Sequence, residues 1–122
     1  MGDLTANFSR HEFQCPCGCG LDDINLDLVL FLQAVREAYE APIRINSGLR
    51  CFVHNREVGG TKNSEHLYGD GVDIDCRNST LRYLVISAAM NAGISRIGIA
   101  NSFIHIGKSE RDVHPQHVIW MY

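Results

Sequence analysis

The pattern of apolar and polar positions predicts two amphipathic helices and several short strands. Apolar residues recur every three or four positions over 25–40 and again over 80–91, as in helices that bury one face. Pro42 follows the first segment and Gly93 follows the second, and both residues are typical of helix ends. Short alternating segments predict strands. These strand segments are 43–46, 71–75, 96–99, 103–106 and 118–120.

Smaller elements complete this pattern. Residues 9–12 fit a capping box and predict a short helical turn, with Phe8 placed to pack against it. We expect a second short helix over 52–58 and a polar loop over 61–69. Because one helix precedes the strands and another separates them, the sequence predicts an α+β fold with a small, mostly antiparallel sheet flanked by helices.

Composition narrows the class of protein. The chain has 122 residues, 45% hydrophobic and 20% charged, which is typical of one globular domain spanning residues 1–122. A net charge of −3 gives no case for nucleic acid or an anionic membrane as a partner. The first residues lack the basic and apolar regions of a signal peptide, so we expect synthesis in the cytoplasm and a monomer.

The cysteines leave three alternatives open. The chain has five cysteines. Three of them, Cys15, Cys17 and Cys19, lie in an N-terminal segment, 1–22, that we expect to pack on the domain. The other two are Cys51 and Cys76. A disulfide could tie this segment to the core, a second zinc could bind the Cys-x-Cys-x-Cys run, or the thiols could be unpaired. The spacing disfavours zinc, because structural sites prefer two to four residues between cysteines. The odd count leaves at least one thiol unpaired.

Candidate metal-binding residues are concentrated in residues 64–73, SEHLYGDGVD. His66 and Asp73 stand seven positions apart with two glycines between them, and His105 follows in an alternating apolar run. Asp75 shares the strand face of Asp73, so the pattern alone allows either carboxylate as a ligand. Two histidines and one carboxylate leave a fourth position open, as a catalytic zinc site requires. A water or carbonyl at that position is polarised, which indicates metal-assisted hydrolysis with one zinc ion.

The motif Ser64-x-His66-x-x-Gly69-x-Gly71-x-Asp73, with His105 in an FIHI strand, resembles the D-alanyl-D-alanine carboxypeptidase/endopeptidase family of zinc peptidases, the M15 group. The family usually has alanine at the position of Gly71. Further matches are residues 46–50, the pair at 54–55 and Trp120. The run 12–20, EFQCPCGCG, resembles a phage and prophage branch of the family.

The resemblance implies a hedgehog/DD-peptidase-like fold and the zinc ligands His66, Asp73 and His105. It also places Arg50 near the substrate, where a guanidinium can hold a carboxylate or a peptide carbonyl, although a structural salt bridge is the alternative. Ser64 would steady the developing oxyanion or a ligand.

The resemblance does not supply the group that moves protons. Several members of the family have a carboxylate three residues before the last histidine ligand, where this chain has Ser102. Closer relatives often have Asp two residues after it, where this chain has Gly107. We predict His114 and Glu110 as the acid–base residues. The other candidates are Asp112 and His117 in the same loop, and Glu65 and Asp70 beside the ligands.

Three functions are compatible with these observations. The first is a zinc peptidase that cuts next to a D-amino acid in peptidoglycan stem peptides, as a carboxypeptidase or an endopeptidase. Such an enzyme would reach the cell wall or periplasm after release by a phage or prophage, or as part of a virion. The second is a catalytically impaired zinc domain of the same fold that binds the wall or a protein. The third is a metal-free, disulfide-stapled binding module.

Overall fold

The computed structural model describes residues 2–122. It is α+β, as predicted, with three helices and a five-stranded sheet. The helices are α1 (Leu26–Tyr39), α2 (Phe52–Glu57) and α3 (Ser79–Asn91). The strands are β1 (Ile45–Ser47), β2 (Gly71–Asp75), β3 (Arg96–Ile99), β4 (Phe103–Gly107) and β5 (Val118–Met121). Two 3₁₀ helices cover Arg10–Glu12 and Glu65–Tyr68. Within residues 2–122, no helix combines the length and apolar character needed to cross a bilayer.

The predicted polar loop over 61–69 is wrong in one respect, because the chain forms the 3₁₀ helix Glu65–Tyr68 there. The Ser64 side chain accepts a hydrogen bond from the backbone N–H of His66, which starts this turn. Gly69 ends it in the left-handed region with φ of 74°. A β-carbon at Gly69 would also overlap the backbone of Asp23, so glycine is required on two grounds.

The sheet has the strand order β1-β2-β4-β3-β5. The pairs β1–β2, β2–β4 and β3–β4 are antiparallel, and β5 joins the edge parallel to β3. The sheet is therefore mostly antiparallel, as predicted, with one parallel pair. The parallel pair arises because residues 108–117 carry the chain from the end of β4 across β3 to the sheet edge.

One face of the sheet forms the hydrophobic core with α1 and α3. Val72 and Ile74 of β2 and Ile104 and Ile106 of β4 are fully buried in this core. Helices α1 and α3 contribute an apolar stripe that belongs to the same core. The helix members are Leu28, Val29, Leu32, Val35, Leu81, Val85 and Ala89. Because side chains alternate along a strand, the residues between these apolar positions point to the opposite face of the sheet.

The N-terminal segment packs against the domain through aromatic side chains. Phe8 and Phe13 are buried, with their ring centroids 6.0 Å apart. The backbone N–H of Leu49 donates to the carbonyl of Phe13 at 2.8 Å. The segment therefore contacts the loop between β1 and α2, which borders the site described next.

Candidate metal centre

Strand register brings Asp73 and His105 together. The two residues are direct partners across the antiparallel pair β2–β4. Their side chains leave the face opposite the buried isoleucines, and Nδ1 of His105 lies 2.9 Å from Oδ1 of Asp73. Asp75, the alternative ligand from the sequence pattern, instead lies 2.9 Å from Nε of Arg77 near the surface. Of the two carboxylates, Asp73 is therefore the one that lies beside the histidines.

His66 reaches the same point from the 3₁₀ helix that precedes β2. Its Nε2 atom lies 3.3 Å from Oδ1 of Asp73. One ligand atom from each of His66, Asp73 and His105 lies within 4.8 Å of the others. All three residues are buried. The three groups predicted from the sequence to meet thus converge on one point.

The arrangement fits zinc. Tetrahedral zinc with bonds of about 2.0–2.1 Å places its ligand atoms about 3.3 Å apart, close to the two distances to Asp73. The free nitrogen of each imidazole also has an acceptor. Nδ1 of His66 lies 2.6 Å from the carbonyl of Gly48, and Nε2 of His105 lies 2.8 Å from Oε1 of Glu65. Metal-binding histidines typically donate this second N–H to such an acceptor, which directs the other nitrogen at the metal.

Charges around the ligands shift their protonation. Burial acts to raise the pKa of Asp73, but hydrogen bonds from His105 and His66 outweigh it and hold the pKa well below the usual range. Burial acts to lower the pKa of His105, yet its hydrogen bonds to Asp73 and Glu65 raise that pKa overall. These hydrogen bonds to Asp73 and Glu65 therefore favour the protonated form of the His105 imidazole.

Glu65 is almost fully buried behind His105. Its Oε1 lies 3.0 Å from Nε of Arg96, and its Oε2 accepts the backbone N–H of Ser109 at 3.1 Å. Burial acts to raise the pKa of Glu65, but the hydrogen bond and charge of His105, with Arg96, lower it overall. A β-carbon on Gly107 would overlap the Glu65 carboxylate. The Glu65 side chain therefore fills the space into which any side chain at position 107 would project.

Arg50 lies beside the carboxylate ligand. Its Nη2 is 3.5 Å from Oδ2 of Asp73, its Nη1 donates to Oδ1 of Asn55 at 3.2 Å and its Nε donates to Oγ of Ser47 at 3.2 Å. A β-carbon on Gly60 would overlap the Asn55 amide, which gives a physical reason for that glycine. Three polar contacts thus fix the plane of the guanidinium.

The ligands form the floor of an open cleft of about 780 Å³. Trp120 of β5 and Tyr122, which follows this strand, line one side of the cleft, and the Trp120 ring centroid is 5.4 Å from that of His105. The Arg96 guanidinium lies 5.3 Å from the centroid of the Trp120 ring. The cleft therefore combines a candidate metal-binding site, positively charged arginine side chains and an aromatic surface.

Comparison with known proteins agrees with this geometry. The family model described as peptidase M15 matches residues 6–107, most of the chain and all three candidate ligands. The chain belongs to the peptidase M15 family. It is also similar to the zinc D-Ala-D-Ala carboxypeptidase of Streptomyces albus G, with 39% identity over 67 residues. That match covers 54% of this chain and 26% of the relative, so the chain spans about a quarter of the relative's length. The family predicted from the motif is confirmed, and the phage branch stays a prediction.

The structure separates the two acid–base residues predicted in this M15 chain. His114 lines the cleft and is buried, with Nδ1 2.5 Å from Oγ of Ser109 and Nε2 on the carbonyl of Asn63. Glu110 is exposed and lines a separate depression with Lys108 and other residues. The structure therefore brings His114 to the cleft and leaves Glu110 outside it, because the loop after β4 turns its residues to different surfaces.

The positions where M15 relatives have an acid contribute none here. Ser102 immediately precedes β4, three residues or about 10 Å of extended chain from His105, and its carbonyl accepts the N–H of Cys76 at 2.9 Å. Within residues 2–122, the carboxylates that line the cleft are Glu65 and Asp73. In the sequence, Glu65 was only one of several acid–base candidates. Its contact with Nε2 of His105 depends on tertiary structure and could not be seen in the motif.

Proposed function

We propose that this M15 chain is a zinc-dependent peptidase that hydrolyses bonds next to D-amino acids in peptidoglycan stem peptides. The observation that supports it best is the convergence of His66, Asp73 and His105 on the floor of a cleft that also contains Arg50. The name of the Streptomyces albus G relative supports the substrate class. The resemblance of residues 12–20 supports a cell-wall lysis role for a phage or prophage.

In this proposal, one set of residues would bind zinc and a second set would orient the zinc ligands. When bound, zinc would supply a polarised water and a Lewis acid for the scissile carbonyl. His66, Asp73 and His105 would hold the ion, while the Gly48 carbonyl and the Glu65 carboxylate keep the two imidazoles oriented.

Arg50 is the substrate-anchoring residue in this proposal. In the structure, the Arg50 guanidinium faces Oδ2 of Asp73. Once the Asp73 carboxylate binds a cation, it would be a weaker ion-pair partner for Arg50. Ser47 and Asn55 keep the guanidinium plane fixed, so its outer N–H groups face a substrate carboxylate or carbonyl in the cleft. A terminal carboxylate fits carboxypeptidase action, whereas a carbonyl fits endopeptidase action.

His114 is the proposed proton-transfer group. It is the imidazole in the described cleft lining that is not a metal ligand. Oγ of Ser109 engages Nδ1, so Nε2 is the nitrogen that would reach the substrate, in exchange for its present contact with Asn63. Ser64, which starts the turn that holds His66, lies on the same wall of the cleft and would donate to the developing oxyanion. Glu110 has no part in the proposal because it lies outside the cleft.

A specific observation favours a second candidate, a zinc domain that binds stem peptides without cutting them. Both carboxylates of the cleft, Glu65 and Asp73, are engaged by histidines, and neither Ser102 nor Gly107 supplies a free acid. Binding through Arg50 and the aromatic wall needs no acid–base residue.

Product analysis distinguishes the two candidates. Zinc-loaded protein would be incubated with pentapeptide and cross-linked muropeptides, and the products identified by mass spectrometry. The peptidase proposal predicts released D-Ala or opened cross-links, with loss of both in His66→Ala and retention in His11→Ala, an exposed histidine. Folded, zinc-loaded protein that binds muropeptides without releasing product would favour the second candidate.

A further inference from the structure

Four of the five cysteines form a cluster where the N-terminal segment meets the start of α2. One Sγ atom from each of four cysteines lies within 4.8 Å of the others: Cys15, Cys17, Cys19 and Cys51. Sγ of Cys17 is 3.4 Å from that of Cys15 and 3.6 Å from that of Cys51. None of the cysteines of residues 2–122 forms a disulfide. The fifth, Cys76, is buried elsewhere with its Sγ 3.8 Å from the carbonyl of Asn78.

The sulfur distances match a tetrathiolate metal site. Zinc with Zn–S bonds of about 2.3 Å places four sulfurs about 3.8 Å apart, whereas a disulfide requires about 2.05 Å. Zinc and iron–sulfur sites are the usual occupants of four thiolates in tetrahedral arrangement. We infer that these four cysteines bind a second, structural zinc ion, separate from the centre in the cleft.

Two glycines explain how such a short spacing becomes possible. If this run were extended, the side chains of Cys17 and Cys19 would point to the same side, and the straight backbone could not wrap them around one ion. Gly18 and Gly20 instead adopt φ of 87°, in a region that other residues rarely occupy, and so fold the run into a tight loop. This backbone overrides the preference for longer Cys–Cys spacing that counted against zinc in the sequence.

Backbone donors support thiolate character in the cluster. The N–H of Cys51 donates to Sγ of Cys15 at 3.4 Å, and the N–H of His54 donates to Sγ of Cys51 at 3.4 Å. Donors directed at sulfur stabilise the anionic form that metals bind, and they orient the ligands. All four ligand positions come from the protein, so this site is closed, as in structural zinc sites.

The proposed zinc would fasten the N-terminal segment to the loop that serves the cleft. Cys51 directly follows Arg50, and the preceding loop supplies the Gly48 carbonyl to His66. In the same loop, the N–H of Leu49 donates to the carbonyl of Phe13 in the N-terminal segment. Metal binding at the cluster would therefore stabilise the position of Arg50 without taking part in hydrolysis.

Metal content tests the inference directly. Protein purified under reducing conditions and equilibrated with zinc would be measured by mass spectrometry of the metal. We expect about two zinc ions per chain in the wild type, and about one in Cys19→Ser and in the His66→Ala, His105→Ala double variant. Cys76→Ser, the matched control, should keep both ions.

Cobalt substitution identifies the ligands. The wild type and the His66→Ala, His105→Ala double variant should show the near-ultraviolet charge-transfer absorption of thiolate-bound cobalt, and Cys19→Ser should lose most of it. If Cys19→Ser does not fold, thiol alkylation of the wild type gives the same information, because bound zinc should protect four thiols until a chelator removes it.

Two results would overturn the inference. One is a single zinc per chain with no thiolate–cobalt absorption, and the other is a mass deficit of two hydrogens that maps a disulfide within the cluster. Neither result depends on peptidase activity, so failure here is distinguishable from failure of the proposed function.

Discussion

Nε2 of His105 lies 2.8 Å from Oε1 of Glu65, on the opposite side of the imidazole from Asp73. This contact would make Glu65 a positioning residue for a bound metal, because it fixes the ring whose Nδ1 lies beside Asp73. It also accounts for Gly107, since the Glu65 carboxylate occupies the space beside that glycine.

Removing the charge of Glu65 should weaken metal binding. Glu65→Gln keeps the size of the side chain but not the anionic acceptor, and loss of such a partner costs about 10- to 100-fold in metal affinity. Competition with a chromogenic chelator measures this affinity. Glu110→Gln, outside the cleft, should leave it unchanged. An unaltered affinity in Glu65→Gln would contradict the positioning role.

The steric relation between Glu65 and Gly107 predicts coupled mutations. Gly107→Ala should lower the free energy of unfolding by about 1–3 kcal/mol, because its β-carbon overlaps the carboxylate. Because Glu65→Ala removes the overlapping carboxylate, the double variant should recover part of this loss. Urea unfolding of the four proteins gives the coupling. Strictly additive losses would show that the two residues do not compete for this space.

Replacing Arg50 with lysine should impair turnover without affecting the metal. Arg50→Lys keeps the charge but loses the planar fork, and loss of a charged hydrogen bond of about 1.5–3 kcal/mol lowers kcat/KM by about 10- to 100-fold. Zinc content should not change. Arg56→Lys, an exposed arginine of α2, serves as the control. Wild-type kcat/KM in Arg50→Lys would rule out substrate anchoring by Arg50.

The metal-free protein should become less stable as the pH rises. Burial acts to lower the pKa of His105, but hydrogen bonds to Asp73 and Glu65 raise it overall. A raised folded pKa contributes stability that is fully present below the unfolded value of about 6.5 and is lost as the pH rises through the folded value. Urea unfolding with a chelator present should show this loss, and His105→Gln should not.

Zinc should change that pH dependence. The proton on Nδ1 of His105 must leave before the metal binds, so the apparent zinc affinity should rise with pH over the range in which the apoprotein loses stability. Isothermal titration at several pH values would measure both the affinity and the protons released. A zinc affinity independent of pH would contradict metal binding at this nitrogen.

Local patterns in the sequence were sufficient for much of the fold. Helical periodicity located α1 and α3, and alternation located the strands within a few residues. The turn over Glu65–Tyr68 escaped prediction because a polar run without periodicity is equally compatible with a loop. The strand at 118–120 was predicted, but its parallel pairing with β3 could not be anticipated, because that pairing depends on the path of residues 108–117 across the sheet.

The motif indicated which residues meet in the cleft better than it indicated their surroundings. His66, Asp73 and His105 were identifiable as candidate ligands because their residue types and spacing resemble a known family. The pairing of Asp73 with His105 is a long-range register that no local pattern fixes. For the same reason, Glu110 was among the predicted acid–base residues although the loop turns it away from the cleft, and the contact of Glu65 with the His105 imidazole was not foreseen.

The location of bound zinc in a crystal, determined by anomalous scattering at the zinc edge, tests the central claim most directly. The account predicts a peak in the cleft about 2.0–2.1 Å from Nε2 of His66, Oδ1 of Asp73 and Nδ1 of His105, with its fourth side open to the cleft. Zinc-soaked crystals that show no peak there, or that place these three side chains on separate surfaces, would contradict it.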